Sequence, residues 1–267
     1  MSKKSKQPGI CVFCGQSGVT KQHLWPDWLK SVIPREGQDH SQFLTKIDLS
    51  VPGTAFIRPD IQFKRGPSGT RKIRNVCSKC NSGWMSRLES AAKPTLTDLI
   101  LGKAMTLDPT KQLALSAWTV MTSIVAEYTD MPTRSIPTEH RQHLMKHGTP
   151  PEGWNIWIGA YVGERWKQRY RHHGLASVPK NALATALPHW NTQLSTFVAG
   201  SLFIHAASTT ASTLIPILNI PSDERLIQIW PIKGSSVTFP PNTILSDAHA
   251  DQIADALFYR LMEMLKP

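Results

Sequence analysis

The chain has 267 residues, enough for one large domain or two ordinary ones, and 40% of them are hydrophobic, which supports a buried core. No apolar run approaches the ~18–20 residues that a bilayer-spanning helix needs, so the sequence reads as soluble. The net charge of +11 is unevenly placed: residues 1–103 carry 17 Lys and Arg against 7 Asp and Glu, whereas residues 104–267 carry 13 against 12. This asymmetry argues for a polyanionic partner of the N-terminal part, most simply nucleic acid, with a basic surface lacking any specific partner as the plain alternative.

The chain opens on a basic stretch, residues 1–8, with the character of a disordered tail and no secretory signal. A cytoplasmic, reducing location is the expectation, and disulfides are not. Cys11-Val12-Phe13-Cys14-Gly15 follows. A second hook, Cys77-Ser78-Lys79-Cys80, uses the remaining two of the four cysteines. Paired Cys-x-x-Cys hooks with none left over read as one tetrahedral zinc site, because a two-residue spacing lets a tight turn aim both thiolates at one ion. A redox pair would explain one hook and not two, and neither lies in a βαβ pattern.

Between the hooks lie 62 residues, more than a compact zinc ribbon carries, so an insertion is expected. His23 precedes an aromatic segment in which Pro26 starts a short helix. Residues 34–75 combine turn formers with short apolar pieces and read as short strands and loops. Lys64, Arg65, Arg71, Lys72 and Arg74 lead into the second hook. A helix after Cys80 is expected to end before Pro94.

From about residue 95 the character changes, giving an expected division into residues 1–94 and 95–267. Leu113–Tyr128 predicts a mostly buried helix, and Pro137–His147 a shorter one. Strands are predicted at Trp154–Val162, Leu183–Leu187, Ser195–Ala207 and Leu226–Ile232. A final amphipathic helix runs from Asp247 to Leu265, with Ser246 as N-cap and Ile253, Ala256, Leu257, Leu261 and Leu265 on one face. The fold class is α+β, and the second half does not announce a function.

The order hook, His, insert, Asn, hook, Asn, helix resembles the HNH endonucleases of the zinc-knuckle subtype. Cys11/Cys14, His23, Asn75 and Cys77/Cys80-Asn81 match that motif, as does the phrase Cys-x-x-Cys-Asn-x-Gly-Trp-Met with Glu89 on the following helix. The resemblance covers roughly residues 8–93. It implies a zinc-stabilised ββα-metal domain joined to a C-terminal α+β domain serving substrate selection, regulation or homodimer formation. It further implies a phosphodiester hydrolase acting on nucleic acid, with double-stranded DNA the expected substrate. His23 would be the general base, since neutral imidazole titrates near neutrality. Asn75 would orient His23 or its loop, and Asn81 with Glu89 would help hold a catalytic Mg²⁺ or similar cation. The Cys₄ zinc would be structural. Lys64, Arg65, Arg71, Lys72 and Arg74 would grip backbone phosphates with little sequence preference. One departure stands out: Gln22 occupies the position before the His, where many members carry an acid or a His as metal ligand.

Each feature also has a structural reading. His23 could be a packed core residue, Asn81 a helix cap, and Glu89 the partner of Lys93. Trp25, Trp28 and Trp84 read as core around the zinc. His140, His143 and His147 read as a polar helix face, and His172-His173 as a solvated edge. The competing functions are a nucleic-acid-binding module without catalysis and a treble-clef protein–protein adaptor.

Overall fold

A computed structural model describes residues 9–33, 40–51, 54–64, 68–166, 168–175, 190–211 and 224–264. The basic tail, Arg65, Leu183–Leu187 and Leu265 lie outside them. Mixed helix and sheet make the fold α+β.

Strand β1 (Val19–His23) pairs antiparallel with β4 (Lys72–Cys77) as a two-stranded sheet. Between them, β2 (His40–Val51) and β3 (Thr54–Lys64) form a separate antiparallel ribbon. The expected short strands and loops are thus one long hairpin. Pro59 is tolerated in it because every strand of a two-stranded ribbon is an edge, where a missing N–H breaks no central ladder.

Past Cys77 the chain turns directly into helix. A first turn, α1 (Ser78–Cys80), leads through a π turn at Asn81–Met85 into α2 (Ser86–Ile100). The helix does not stop before Pro94. Pro94 and Ser90, whose carbonyl the proline ring leaves without an amide partner, are both exposed, so water can take that carbonyl. Beyond it Thr95, Leu96, Leu99 and Ile100 are buried, and their packing carries the helix on. The expected division at residues 94 and 95 therefore falls inside α2.

Strand β5 (Met105–Leu107) precedes α3 (Pro109–Ala126), which is capped by Asp108 accepting from the Lys111 amide. Helix α3 is buried almost throughout and packs on α2, β4 and the large sheet, so it is the centre of the molecule. Helix α4 is Thr138–His147. The large sheet contains β6 (Trp154–Ala160), β7 (Gln168–Leu175), β8 (Thr192–Ala199), β9 (Leu202–Thr209) and β10 (Ile227–Trp230), in the order β10-β6-β9-β8-β7. The expected single strand Ser195–Ala207 is a hairpin, broken at Gly200-Ser201. Gly200 has φ +55°, and a Cβ there would meet the Ile100 carbonyl at 2.6 Å, so only glycine turns the chain at this point.

Strand β11 (Val237–Phe239) pairs with β5, and α5 (Asp247–Met264) closes the fold. Ser246 caps α5 as expected, its Oγ accepting from the His249 amide. One face of the sheet meets α3 and Trp25, which stacks edge-on against Phe197 at 6.0 Å. On the other, Val198 and Phe203 pack with Leu245, Ala250 and Ile253. A single buried cluster runs from Cys11 and Phe13 through α3 to Ile204 and Phe239. Among the described residues no helix is long and apolar enough to cross a membrane.

Candidate metal centre and the His23 strand

The two cysteine hooks meet. The first is a tight turn in which the Gly15 amide donates to the Cys11 carbonyl, with Gly15 at φ +72°, and an Ile10–Ser17 bridge closes its base. The second spans a strand end and a helix start: Cys77 is extended and Cys80 completes the first helical turn. The four Sγ atoms all lie within 4.8 Å of one another, and Cys14 and Cys77 approach to 3.6 Å. A tetrahedral ion with ~2.3 Å metal–sulfur bonds sets its sulfurs ~3.8 Å apart, so the four thiols are close enough to hold a metal ion.

Burial raises the Cys14 and Cys80 thiols above their ordinary range. For Cys11, burial is outweighed by the Cys14, Cys77 and Phe13 amides, which bring it down to about 7. A cation held here would take the sulfurs as thiolates and displace their protons, so binding should weaken as pH falls. Phe13 packs edge-on against Trp84 at 4.8 Å and seals the centre. The Trp84 indole N–H reaches no hydrogen-bond acceptor at ordinary distance, yet lies near enough to Cys80 to favour its thiolate. Of the three tryptophans expected around the metal, Trp84 packs here. Trp25 lies instead against the large sheet.

His23 ends β1 and pairs directly with Lys72 of β4, so both emerge on the same face of the sheet. A bulge opposite Lys21 gives β4 an extra residue and turns Asn75 inward beside the buried Val76 and Cys77. Asn75 Nδ2 donates to the Val125 carbonyl of α3 at 3.3 Å, while its own carbonyl takes the Val12 amide. It thereby ties the first hook, β4 and α3 together. His23, Gln22, Met85, Met121, Thr122 and Val125 line a small cavity of about 10 Å³. Residues of α3 complete this pocket, and nothing in the sequence pattern singled them out: Thr122 sat unmarked within a run read as a buried helix.

Asn81 is half-buried inside the helix and does not cap it, because the helix begins at Ser78 with Cys77 in the extended cap position. It lies one turn before Met85. Glu89 lies one turn after Met85 and is engaged elsewhere: Trp28 Nε1 donates to Glu89 Oε1 at 3.1 Å, and Lys93 Nζ sits 5.5 Å from the Trp28 ring centre. Burial raises the Glu89 carboxyl, opposed by the Trp28 hydrogen bond and by Lys93. Among the described residues, the four cysteines are the one group of three or more His, Cys, Asp or Glu side chains placed to share an ion.

Lys72 and Arg74 are exposed at alternate positions of β4, with Lys21 exposed on β1. Arg71 differs. It is half-buried, its guanidinium donates to the Thr129 carbonyl at 3.4 Å, and its carbonyl accepts the Leu24 amide. Lys64 ends β3.

Two histidines of α4 have polar protein partners. His140 accepts from Trp154 Nε1 at 3.1 Å, and burial lowers it to about 4; His143 pairs with Thr149. His172 and His173 lie on β7, the edge strand, where His172 meets the Thr133 carbonyl and His173 meets Asp255. No family model, curated protein or solved structure matches this chain.

Proposed function

We propose that the chain is an HNH-type endonuclease that hydrolyses phosphodiester bonds in double-stranded DNA, with zinc held by Cys11, Cys14, Cys77 and Cys80 as a structural ion and His23 as general base. The observation that carries this reading is a succession: a cysteine knuckle, a strand ending in His23, the antiparallel strand β4, and a helix opened by Cys77 and Cys80. Lys72 beside His23, with Arg74 two residues along, supplies cations where a phosphate would lie. Asn75 braces the strand pair against α3.

In this chemistry His23 takes a proton from the attacking water. A divalent cation would neutralise charge on the phosphate when bound. The neutral donors Asn81 and Gln22 are a poor match for a hard cation, since Glu89 is committed to Trp28; most of its ligands would come from phosphate oxygens and water.

The test is a plasmid nicking assay in Mg²⁺ or Mn²⁺ on wild type and His23→Ala, with an EDTA control and zinc content measured on both proteins. Metal-dependent cutting that disappears in a folded, zinc-loaded His23→Ala variant is the expected result. Cutting that survives the substitution overturns the assignment of His23.

A second reading is favoured by two observations, the Glu89 carboxylate engaged with Trp28 and the absence of a carboxylate–histidine cluster among the described residues. It is a zinc-knuckle module that binds nucleic acid without cutting it. A zinc-loaded wild type that binds plasmid and never nicks it supports this alternative.

A further inference from the structure

Among the described residues, two cavities of about 10 Å³ each have room for about one water molecule. They differ in lining. The first is walled by apolar and aromatic side chains, among them Trp25, Leu96, Trp118 and Phe197, and offers a water little to bond. The second brings Gln22, His23 and Thr122 together against Met85, Met121 and Val125. A trapped water needs two to four polar partners, and this lining contains three polar residues.

Neither Thr122 nor its neighbour Ser123 on α3 has a hydroxyl partner among the described residues, and of the two it is Thr122 that lines this cavity. Thr119 Oγ1 donates back to the Leu115 carbonyl, and Ser116 Oγ donates to the Ile229 carbonyl. Thr122 is 6% exposed, and its hydroxyl has no hydrogen-bond partner among the described residues. The same holds for the Gln22 amide. The Thr122 hydroxyl is not wholly closed off, so a water in the cavity can reach it and bridge it to a second polar group.

We infer that Gln22, His23 and Thr122 hold one ordered water in this pocket, and that Thr122 is a positioning residue that fixes the water for His23. This rests on the endonuclease reading for its chemical consequence. The water oxygen bonds to phosphorus as a P–O ester bond breaks, its proton passes to the His23 imidazole, and the leaving oxygen takes a proton from solvent. Thr122 and Gln22 aim the lone pair, a task for neutral side chains. Gln22 thereby has a use at a position where an acidic metal ligand is otherwise expected.

The experiment compares Thr122→Val, which keeps the shape and removes the hydroxyl, with Thr122→Ser, which keeps the hydroxyl. Both are checked for zinc content, thermal stability and plasmid affinity. Single-turnover nicking is expected to fall about 10- to 100-fold in Thr122→Val at unchanged affinity, and to return to within a few-fold of wild type in Thr122→Ser. Equal rates in wild type and Thr122→Val, or an equally slow Thr122→Ser, overturn the positioning role. Magnetisation transfer from a long-lived water to His23 and Thr122 protons is measured in parallel, because it needs no catalysis. Its presence in wild type and loss in Thr122→Val uphold the water site even if the protein never cuts; its absence from wild type removes the site.

Discussion

The Trp28 indole N–H donates to the Glu89 carboxylate at 3.1 Å, joining the segment that follows His23 to the first turn of α2. An acid bound in this way serves as an anchor. Glu89→Gln retains the acceptor oxygen and should melt within about 1 kcal/mol of wild type, with nicking within a few-fold. Trp28→Phe leaves a largely buried carboxylate without its donor and should cost about 1–3 kcal/mol. Thermal melts and nicking rates of the two variants check this. A loss of cutting above 100-fold in a stable Glu89→Gln protein would return Glu89 to the chemistry.

The cysteine centre makes a separate prediction. One zinc per chain is expected by elemental analysis. Cys77→Ser should lose the metal and melt well below wild type, since the ion links the N-terminal hook to the strand–helix junction and its binding energy contributes directly to folding. Cobalt substitution gives a second readout, a tetrahedral thiolate spectrum that Cys77→Ser lacks. A variant that binds no zinc yet melts like wild type would show that the fold does not depend on the site.

The four-cysteine site was legible in the sequence because its chemistry is local: two residues between the cysteines of each hook, a turn at Gly15, and a helix expected just past the second hook, which the structure starts at Ser78. Helices α3 and α4 and the Ser246 cap were legible for the same reason. What sequence pattern missed depends on tertiary contact. Pro94 is a helix breaker until the burial of Leu96 and Leu99 outweighs it. The turn at Gly200 carries no Asn-Gly signal, and its need for glycine arises from the Ile100 carbonyl, one hundred residues earlier. Thr122 is one hydroxyl in a buried run, and periodicity cannot say which hydroxyl faces a cavity beside His23.

Acid should destabilise the protein through its neutral histidines. Burial lowers His140 to about 4, where it accepts from the Trp154 indole. The unfolded chain binds a proton at this residue near pH 6.5, and the folded chain does not until about 4. The stability it confers is therefore complete above about pH 6.5 and is lost as pH falls toward 4. His140→Asn keeps an acceptor for the indole and removes the titration, so its melting temperature should fall less than that of wild type between pH 7 and pH 5. Parallel pH dependences in the two proteins would exclude His140 as a source of acid lability.

The exposed cations of β4 predict a salt dependence that also separates Arg71 from its neighbours. Each Lys or Arg that neutralises a phosphate releases counterions and adds about 0.9 to the slope of log affinity against log salt. Lys72 and Arg74 project from the sheet on which His23 lies, so Lys72→Ala and Arg74→Ala should each flatten that slope by about 1 without changing stability. Arg71 is held against the Thr129 carbonyl, and desolvation lowers its pKa. Arg71→Ala should therefore cost about 1–2 kcal/mol in stability and leave the slope unchanged. Fluorescence anisotropy on a labelled duplex from 50 to 300 mM salt, with a melt of each variant, is the measurement. Slopes unaltered by Lys72→Ala and Arg74→Ala would move the nucleic-acid contact away from β4. A flattened slope in a stable Arg71→Ala protein would mean that its guanidinium leaves Thr129 for phosphate in the complex.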